Sequence, residues 1–544
     1  MAQLCREGGN SLIHLLLSAA VSTDDEHPDR AKVKTWQYRH LVRLSPAERK
    51  EWTDACLLEL EALRARRVFE LVDSPKGRKV IRNRWVFDIK SDGRKKSRLV
   101  ARGDSQVEGL DYGALYSPVV RFETVRFILA LAALENWHIE GVDVKSAYLY
   151  GLLDEEIFME QPEGFAVRGQ EHKVIRLRRA LYGLKQAGLA WWRSLDASMS
   201  EIGFKRLHSD AGIFIHTSNK GTVVAVVYVD DALFCGSNTP HLRELKARFM
   251  KKWECRDLGD VSEFLRMRIK RVGREIHIDQ VDYLQKVLER CGMENAKSAP
   301  TPLPEGYIPK PNVEVADPAL RKRFQTVIGS LLYLMIGTRP DIAFAVTKLS
   351  QYASNPSQDH MNKALYICRY LVGTSKYSLI YDGASGQGLV AFSDSDWASD
   401  NVSRRSQTGF FQKMANGIIG WTSRAQKTVA LSSTEAEYMA LSDASRQCVW
   451  IKSLMGEIGY STNFAVPLAG DNQGSLFMAT NPVTEARSKH IDIRYHYIRE
   501  VIANKHIDVF FIEGNDNPAD LFTKNLGRMK FQKFRAELGL KFYN

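Results

Sequence analysis

The sequence lacks the features of several common protein classes. Its seven cysteines are odd in number and scattered, and no two of them form a CxxC pair. This spacing excludes zinc ribbons and zinc knuckles, argues against a disulfide scaffold, and predicts reduced thiols in an intracellular protein that is not secreted. The only membrane-like stretch, residues 12–21, is interrupted by His14 and is too short to span a bilayer. Internal repeats and low-complexity tracts are also missing.

What is present is an ordinary globular composition with an excess of positive charge. Hydrophobic residues make up 44% of the chain and charged residues 26%, and the formal net charge is +12. At 544 residues the chain exceeds what one hydrophobic core supports, so we expect several domains. A solvated basic surface accounts for this charge as well as a polyanion partner does, so charge alone does not identify the function.

Local patterns divide the chain into segments. Ser45-Pro46-Ala47-Glu48 has the spacing of a capping box, with proline at the first helical position, and predicts a helix. The segments RNRWVFDIK (82–90) and SRLVARG (97–103) flank a Ser-Asp-Gly turn and predict a basic hairpin. The segment SAPTPLPEGYIPKPN (298–312) contains five prolines and predicts a linker before a mostly helical stretch.

A first set of acids interrupts an apolar run in TVVAVVYVDDALFCG (222–236). Two strands joined at Asp230 and Asp231 fit this run, and like charges ~4 Å apart repel by about 4 kcal/mol at an effective dielectric near 20. A divalent cation removes that repulsion, and oxygen ligands suit magnesium. A solvent-exposed hairpin tip is the structural alternative. Asp143 ends another strand-like stretch, and two-metal phosphoryl transfer requires carboxylates that converge from separate strands.

The segments DVKSAYLYG (143–151), YGLKQAGLAWW (182–192) and YVDD (228–231) occur in this order, with SRLVARG upstream and TRPDIAFAV (338–346) downstream. Together they resemble the reverse transcriptase of copia-type LTR retrotransposons. The resemblance implies a right-hand polymerase whose metal ligands are Asp143, Asp230 and Asp231. It further implies that Tyr148 lies under the incoming sugar and excludes a 2′-hydroxyl, and that Gln186 contacts template and nucleotide.

The same resemblance places basic residues of the finger hairpin close to the triphosphate. It assigns this position to Lys96 and Arg98, and Lys95 is an alternative to Lys96. Arg266 departs from the family pattern, because a glycine is usual at its place in the FLG motif, and glycine often marks a positive φ. Asp104 replaces an aromatic residue, and Gly188-Leu189 replaces a usual Pro-Arg.

A second set of acids follows in LVAFSDSDWAS (389–399), STEAEYMAL (433–441), GDNQGS (470–475) and NPADLFTK (517–524). Their order resembles the ribonuclease H fold, in which four acids position two magnesium ions for in-line hydrolysis of RNA, and it assigns the roles to Asp394, Glu437, Asp471 and Asp520. An ordinary acidic loop is the alternative for the first of these segments. Capping is the alternative for the second, because Thr434-x-x-Glu437 and Ser432-x-x-Glu435 both match a capping box.

We therefore expect a multidomain α+β and α/β protein, a right-hand polymerase of fingers, palm and thumb followed by a ribonuclease H-like domain. The expected divisions are a weakly structured leader (1–40), fingers and palm (41–245), thumb and connection (246–385), a ribonuclease H-like domain (386–526) and a C-terminal tail (527–544). The expected activities are RNA-directed DNA polymerisation and cleavage of RNA–DNA hybrids, with two Mg²⁺ ions per active site, or Mn²⁺ in their place.

The expected partners are an RNA template, a DNA or tRNA-type primer, the RNA–DNA hybrid, dNTPs and other retroelement proteins, without a membrane. We expect the protein in a cytoplasmic particle or the nucleus. The main alternative is a catalytically inactive or domesticated nucleic-acid-binding relic of such an element. A transposase or integrase with an Asp-Asp-Glu set is rejected, because the glutamate here precedes the second aspartate and the upstream polymerase motifs would have no explanation.

Overall fold

The computed structural model of the protein describes residues 33–90, 92–400, 402–481 and 495–542. The apolar stretch at residues 12–21 and most of the predicted leader lie outside these residues. The described end of the leader packs inward: Val33 is buried, and the rings of Trp36 and Trp52 lie 6.0 Å apart. Within the described residues, no helix has both the length and the hydrophobicity that crossing a bilayer requires.

Helices and strands alternate along the described chain. The α-helices are α1 (Pro46–Ala65), α2 (Phe122–Leu134), α3 (Ala187–Ile202), α4 (Thr239–Met250), α5 (Val281–Cys291), α6 (Pro318–Gly337), α7 (Ala343–Ser350), α8 (Gln358–Gly373), α9 (Ser433–Ile458), α10 (Gln473–Thr480), α11 (Tyr497–Ala503) and α12 (Arg528–Glu537). The strands of the N-terminal half are β1 (Phe69–Val72), β2 (Val80–Ile81), β3 (Asn83–Ile89), β4 (Lys95–Ala101), β5 (His138–Val144), β6 (Leu152–Met159), β7 (Val174–Arg179), β8 (Lys205–Arg206), β9 (Ile213–Ser218), β10 (Gly221–Tyr228), β11 (Asp231–Gly236) and β12 (Cys255–Asp260). Those of the C-terminal half are β13 (Glu263–Phe264), β14 (Met267–Val272), β15 (Glu275–Asp279), β16 (Tyr377–Asp382), β17 (Val390–Asp396), β18 (Gln407–Met414), β19 (Gly417–Ala425), β20 (Val466–Gly470), β21 (Ile507–Phe511) and β22 (Leu540–Phe542).

The finger region begins with α1, which starts where the sequence predicts. The hydroxyl of Ser45 accepts a hydrogen bond from the amide of Glu48, and Pro46 occupies the first helical position. The helix packs against β4, which pairs with β3 in the predicted antiparallel hairpin. Both local predictions are therefore confirmed.

The palm is an antiparallel sheet with the strand order β12-β5-β11-β10-β9-β8. Helices α3 and α4 cover one face of this sheet, and α2 covers the other. Since β10 and β11 are buried on both faces, their side chains form a continuous apolar run instead of an alternating one. This explains the composition of the segment that surrounds Asp230 and Asp231.

The connection is built on a sheet with the order β13-β14-β15-β16-β22, surrounded by α5 to α8. The proline-rich segment 298–312 runs along this unit, because the amide of Ala299 donates to the carbonyl of Arg369 on α8 and Leu303 is buried. The last described residues, expected as a C-terminal tail, form α12 and β22, and β22 closes the connection sheet by pairing with β16.

The C-terminal sheet has the order β19-β18-β17-β20-β21. Its central strand β17 pairs with β18 in antiparallel and with β20 in parallel direction, and α9 packs over it. The buried face of α9 carries Ala440, Ala444, Cys448, Ile451 and Met455, as their helical spacing predicts. Palm, connection and this sheet together confirm the expected mixed α/β fold, a right-hand polymerase followed by a ribonuclease H-like domain.

Palm, connection and ribonuclease H-like sheet share one hydrophobic core, and α2 lies at its centre in contact with β15, β16, β18 and β19. Arg126 on α2 is buried and donates hydrogen bonds to the carbonyl oxygens of Ile336 at 2.5 Å, Gly337 at 2.9 Å and Ile419 at 2.7 Å. Its guanidinium carbon lies 3.8 Å from the ring centre of Trp421. The domain boundary predicted near residue 386 lies in the loop between β16 and β17, and the sheets on either side of this loop share one core.

We expect Arg126→Met to lower the free energy of unfolding by about 3 kcal/mol. Methionine keeps the aliphatic bulk but leaves buried carbonyl groups without donors, and hydrogen bonds to charged groups contribute about 1.5–3 kcal/mol each. Urea unfolding followed by circular dichroism measures the change. Lys220→Met removes an exposed ion pair with Glu244 and serves as the control, with little expected effect. An effect of Arg126→Met no larger than that of the control would contradict this role.

Candidate active sites

Three of the predicted acids lie at one end of the palm sheet. Strand β5 pairs with β11 so that Asp143 lies directly opposite Asp231. Strands β10 and β11 form a hairpin in which Tyr228 faces Asp231, which leaves Val229 and Asp230 as the turn residues. Val229 has a φ of 54°, which is uncommon for a β-branched residue and marks the turn as strained. The predicted hairpin thus brings Asp143, Asp230 and Asp231 together.

Burial and mutual repulsion determine the electrostatics of these acids. Burial, together with the charges of Asp230 and Asp143, raises the pKa of Asp231 to about 7. Burial also raises the pKa of Asp230, and the charge of Asp143 adds to the shift. A divalent cation relieves such repulsion, and oxygen donors suit Mg²⁺. The donor set therefore fits the predicted metal.

The structure of the finger hairpin shows which of Lys95 and Lys96 faces the palm acids. Side chains alternate along β4, so Lys96 and Arg98 share one face, and the charges of both lower the pKa of Asp230. Lys95 lies on the other face, where its Nζ is 5.3 Å from the ring centre of Trp52. Burial is the main cause that lowers the pKa of Lys96 to about 8. Lys96 and Arg98, and not Lys95, face the palm acids.

Tyr148 lies next to the same acids. It belongs to a 3-10 turn, Ala147–Tyr150, that follows β5, and its ring packs edge-on against Tyr182 with centres 5.8 Å apart. Burial raises the pKa of Tyr148 to about 12, with a contribution from the charge of Asp230. The ring is therefore held in a fixed place between the palm acids and Tyr182.

The side-chain amide of Gln186 is hydrogen-bonded to other residues inside the protein. Its Nε2 donates to the carbonyl oxygen of Asp111 at 2.7 Å, and its Oε1 accepts from Nε2 of Gln106 at 3.0 Å. The Oε1 of Gln106 in turn accepts from the amide of Lys185 at 2.9 Å. Gln106 and Asp111 thus hold the turn that carries Gln186 through contacts between residues 75 to 80 positions apart in the sequence.

The departure at Arg266 has a conformational consequence. Leu265 and Arg266 form the two-residue turn between β13 and β14, with φ values of 51° and 57°. Glycine is favoured in this conformation, and each L-residue there costs roughly 1–2 kcal/mol. Arg266 therefore adopts the backbone conformation that favours glycine although it carries a long, charged side chain. That arginine lies close enough to Asp231 to lower its pKa.

The second group of acids is more compact. Carboxylate oxygens of Asp394, Glu437 and Asp471 all lie within 4.8 Å of one another. Asp394 lies on β17, Asp471 follows the parallel neighbour β20, and Glu437 projects from α9, which packs over β17. Three of the four acids predicted for the ribonuclease H-like site therefore converge.

The capping alternative for Glu437 is excluded by the geometry of α9. The hydroxyl of Ser432 accepts from the amide of Glu435 at 3.2 Å, and the carboxylate of Glu435 accepts from the amide of Leu431 at 2.8 Å. Glu437 lies further along the helix, and its carboxylate accepts from the amide of Ser395 at 3.0 Å. The cap thus uses Ser432 and Glu435, and Glu437 faces β17.

Asp520 is the predicted acid that does not belong to this compact group. Its carboxylate is held by Nζ of Lys524 at 2.6 Å and Nζ of Lys530 at 2.7 Å. Lys524 Nζ also lies 3.6 Å from an oxygen of Asp394, so Asp520 borders the group. Neither lysine is predicted from the sequence. Lys524 follows Asp520 by four residues in NPADLFTK, whereas Lys530 comes from α12, outside every motif.

Burial also dominates the electrostatics of the second group. It raises the pKa of Asp394 to about 7, and Asp520 and Asp471 add to the shift. The pKa values of Glu437 and Asp471 are raised mainly for the same reason. Three carboxylates at this spacing, those of Asp394 and Glu437 buried and that of Asp471 partly exposed, provide the oxygen donors that Mg²⁺ requires. The residues therefore fit the predicted cofactor.

His138, Glu140 and Asp260 form another group with metal-ligand spacing on the palm. Here Glu140 already has two cationic partners, because Lys246 donates to it and Arg243 Nε lies 2.7 Å away. We therefore interpret this group as a buried ion-pair cluster that supports β5.

We expect Asp394→Asn to stabilise the metal-free protein and to remove its stabilisation by Mg²⁺. The pKa of Asp394 is raised in the folded state, so its ionised form opposes folding above about pH 7, and this effect is relieved as the pH falls toward about 4. The rise of about three pKa units, at about 1.4 kcal/mol per unit, corresponds to about 4 kcal/mol at pH ~8. Because the substitution also weakens the interactions with Thr523 and Lys524, we expect a net gain of about 2 kcal/mol. Thermal unfolding with and without Mg²⁺ measures both effects.

The control for this experiment is Asp508→Asn, which changes an exposed acid of β21. It should leave both the metal-free stability and the response to Mg²⁺ unchanged. An equal response of wild type and Asp394→Asn to Mg²⁺ would contradict the assignment of this group as a metal site.

Sequence comparisons match both halves of the chain. A family model described as reverse transcriptase (RNA-dependent DNA polymerase) matches residues 66–305. The chain is 36% identical over 532 residues to the retrovirus-related Pol polyprotein from transposon TNT 1-94 of Nicotiana tabacum, covering 95% of this chain and 39% of that protein. It is 35% identical to the corresponding polyprotein from transposon RE2 of Arabidopsis thaliana, covering 90% and 34%. It is 30% identical to a putative transposon Ty5-1 protein of Saccharomyces cerevisiae, covering 56% and 98%.

The chain thus spans little more than a third of the length of the plant relatives. A solved structure of the foamy viral protease-reverse transcriptase in complex with dsDNA covers 85% of this chain and 83% of that one, at 12% identity and a TM-score of 0.45. The structure of that protein in complex with an RNA/DNA hybrid gives a TM-score of 0.43. These scores are too low to add support, and the fold assignment rests on the strand order of the chain itself.

Proposed function

The chain belongs to the reverse transcriptase family of copia-type LTR retrotransposon Pol polyproteins, and we propose that it copies RNA into DNA and cleaves the RNA of the resulting hybrid. The observation that carries this proposal is the presence of two separate groups of acids, one at the end of the palm sheet and one on the C-terminal sheet. Each two-metal reaction needs its own pair of ions about 4 Å apart, so a single group does not serve both reactions.

In this proposal the palm group serves polymerisation. Asp143, Asp230 and Asp231 would hold two Mg²⁺ ions, or Mn²⁺ in their place, and the bound ions would supply the positive charge for activating the primer 3′-hydroxyl and neutralising the triphosphate. Lys96 and Arg98 bind the triphosphate from the finger side, because they share the face of β4 that lies toward the acids. The substrates are an RNA template, a DNA or tRNA-type primer and dNTPs.

Tyr148 and Gln186 act on the nucleotide in different ways. The ring of Tyr148, packed against Tyr182, lies under the incoming sugar and leaves no room for a 2′-hydroxyl. Gln186 is buried, and its bonds to Asp111 and Gln106 fix the position of the turn before α3 that lies beside template and nucleotide.

The second group serves hydrolysis of the RNA strand. Asp394, Glu437 and Asp471 would hold two Mg²⁺ ions, and the bound ions would supply the charge that activates a water for in-line attack on the RNA backbone. Asp520 is the fourth acid of this site. Its partners Lys524 and Lys530 provide positive charge for the phosphates of the hybrid.

An intracellular location, in a cytoplasmic particle or in the nucleus, is part of the proposal. The six cysteines of the described residues form no disulfide, which suits a reducing compartment. Other retroelement proteins are proposed partners, because the related chains are parts of longer Pol polyproteins.

We expect the two activities to respond separately to substitution of their acids. Asp231→Asn should lower primer extension on an RNA template by at least about 100-fold and spare hybrid cleavage, because each metal site loses only its own charge. Asp394→Asn should have the converse effect. Both assays are run on both variants with Mg²⁺, after circular dichroism has shown that they are folded.

Asp508→Asn is the control for both assays, and it should be indistinguishable from wild type. Loss of both activities in both folded variants would indicate one composite site and contradict the proposal. A wild-type chain that binds the hybrid and performs neither reaction would be the inactive nucleic-acid-binding relic.

We expect Tyr148→Val to incorporate ribonucleotides at least about 10-fold more readily relative to deoxyribonucleotides, because valine opens space beside the sugar for a 2′-hydroxyl. Single-nucleotide extension with dNTP and rNTP measures the ratio of kcat/KM values. Tyr148→Phe keeps the ring and should discriminate as wild type does. Equal discrimination by Tyr148→Val and wild type would refute the steric role.

A further inference from the structure

A cavity of about 440 Å³ opens beside the ribonuclease H-like acids. It lies between the proline-rich segment, α7 and the loop after β17, and Tyr307, Lys348, Tyr352, Asp396 and Lys524 are among its lining residues. Pockets of roughly 300–1,000 Å³ are the usual size for small organic ligands. Since Asp396 follows Asp394 by two residues and Lys524 contacts Asp394, the cavity adjoins the proposed cleavage site.

Lys348 on α7 is the charged group of this cavity. Only 8% of the residue is exposed, and no hydrogen bond or ion pair joins its ammonium to the rest of the described chain. Its Nζ lies 5.6 Å from the ring centre of Phe344, and the carboxylates of Asp396 and Asp400 face it. The residue is largely buried while its ammonium reaches the cavity, and a ligand oxygen would give that ammonium the hydrogen-bond acceptor that the described residues do not supply.

The remaining walls are aromatic and aliphatic, and they are held in place. The side chain of Asn525 donates to the carbonyl of Tyr307 at 2.7 Å, and the hydroxyl of Tyr352 donates to the carbonyl of Pro309 at 3.1 Å. At the rim, Ile308 is 51% and Val402 is 70% exposed, so apolar surface faces solvent beside a buried cation. This combination suits a ligand that joins a flat apolar ring to an anion.

We propose that this cavity binds one unpaired nucleotide of the RNA strand, next to the bond that the second acid group cleaves. The inference rests on the proposed function, because that function brings an RNA strand to Asp394. The base packs against the tyrosine rings and Ile308, and the phosphate receives hydrogen bonds from Lys348 and from Lys310 at the rim. An enclosed cavity accepts a base that has left the duplex, whereas a paired base stays stacked.

The first test titrates the full-length protein with adenosine 5′-monophosphate, adenosine and inorganic phosphate by calorimetry. We expect the nucleotide to bind at least about 10-fold more tightly than either fragment, and Lys348→Met to weaken its binding by about 10-fold. Lys322→Met, on the exposed part of α6, is the matched control and should bind as wild type does. Equal affinity for phosphate alone or adenosine alone, or unchanged binding by Lys348→Met, would overturn the proposal.

The second test measures hybrid cleavage. Lys348→Met should raise the KM for the hybrid several-fold while kcat and primer extension stay near wild type. If this variant is not folded, Ile308→Asp at the exposed rim replaces it and should raise the KM in the same way. An unchanged KM in the folded variant would overturn the proposal. A wild-type chain without hybrid cleavage would overturn the nuclease function instead, and the calorimetric result would still show whether the cavity takes a nucleotide.

Discussion

The burial of one guanidinium links the three parts of this molecule. Arg126 lies on the palm helix α2. Its side chain donates hydrogen bonds to carbonyl oxygens at the end of the connection helix α6 and on strand β19. These acceptors and the ring of Trp421 compensate for the lost hydration of the charge, so the arrangement is stable only when all three parts are in place. Because α2 also covers one face of the palm sheet, the position of the palm acids depends on residues from the C-terminal half.

Both groups of acids show how a packed core supports an unfavourable local arrangement. Each group lies where a strand leaves the hydrophobic core, and the sheets hold the carboxylates at distances where they repel one another. The turn at Val229 adds backbone strain. Sites that bind charged ligands commonly contain repelling charges or strained backbone that are locally unfavourable. The packing of the surrounding core offsets this cost.

Short-range patterns in the sequence predicted much of the fold and most of the acids. The capping box at Ser45 and the apolar run around Asp230 depend on neighbours in sequence, so their helix and strands could be predicted. Contacts between distant segments left no such signal. The pairing of β22 with β16 arises from packing that brings distant residues together. Lys530 reaches Asp520 because α12 packs against the turn that carries this acid. The choice between Lys95 and Lys96 likewise needed the position of Trp52.

The shared core also governs the order in which this protein can fold. The bond between Arg126 and Ile419 joins residues 293 positions apart. At translation rates of about 5–20 residues per second, roughly 15–60 s pass between the synthesis of the two partners. During that interval the apolar face of α2 that later meets β19 has no native contact to cover it. Newly made chains therefore expose an aggregation-prone helix on the ribosome, and a chaperone that holds α2 would raise the yield of folded protein.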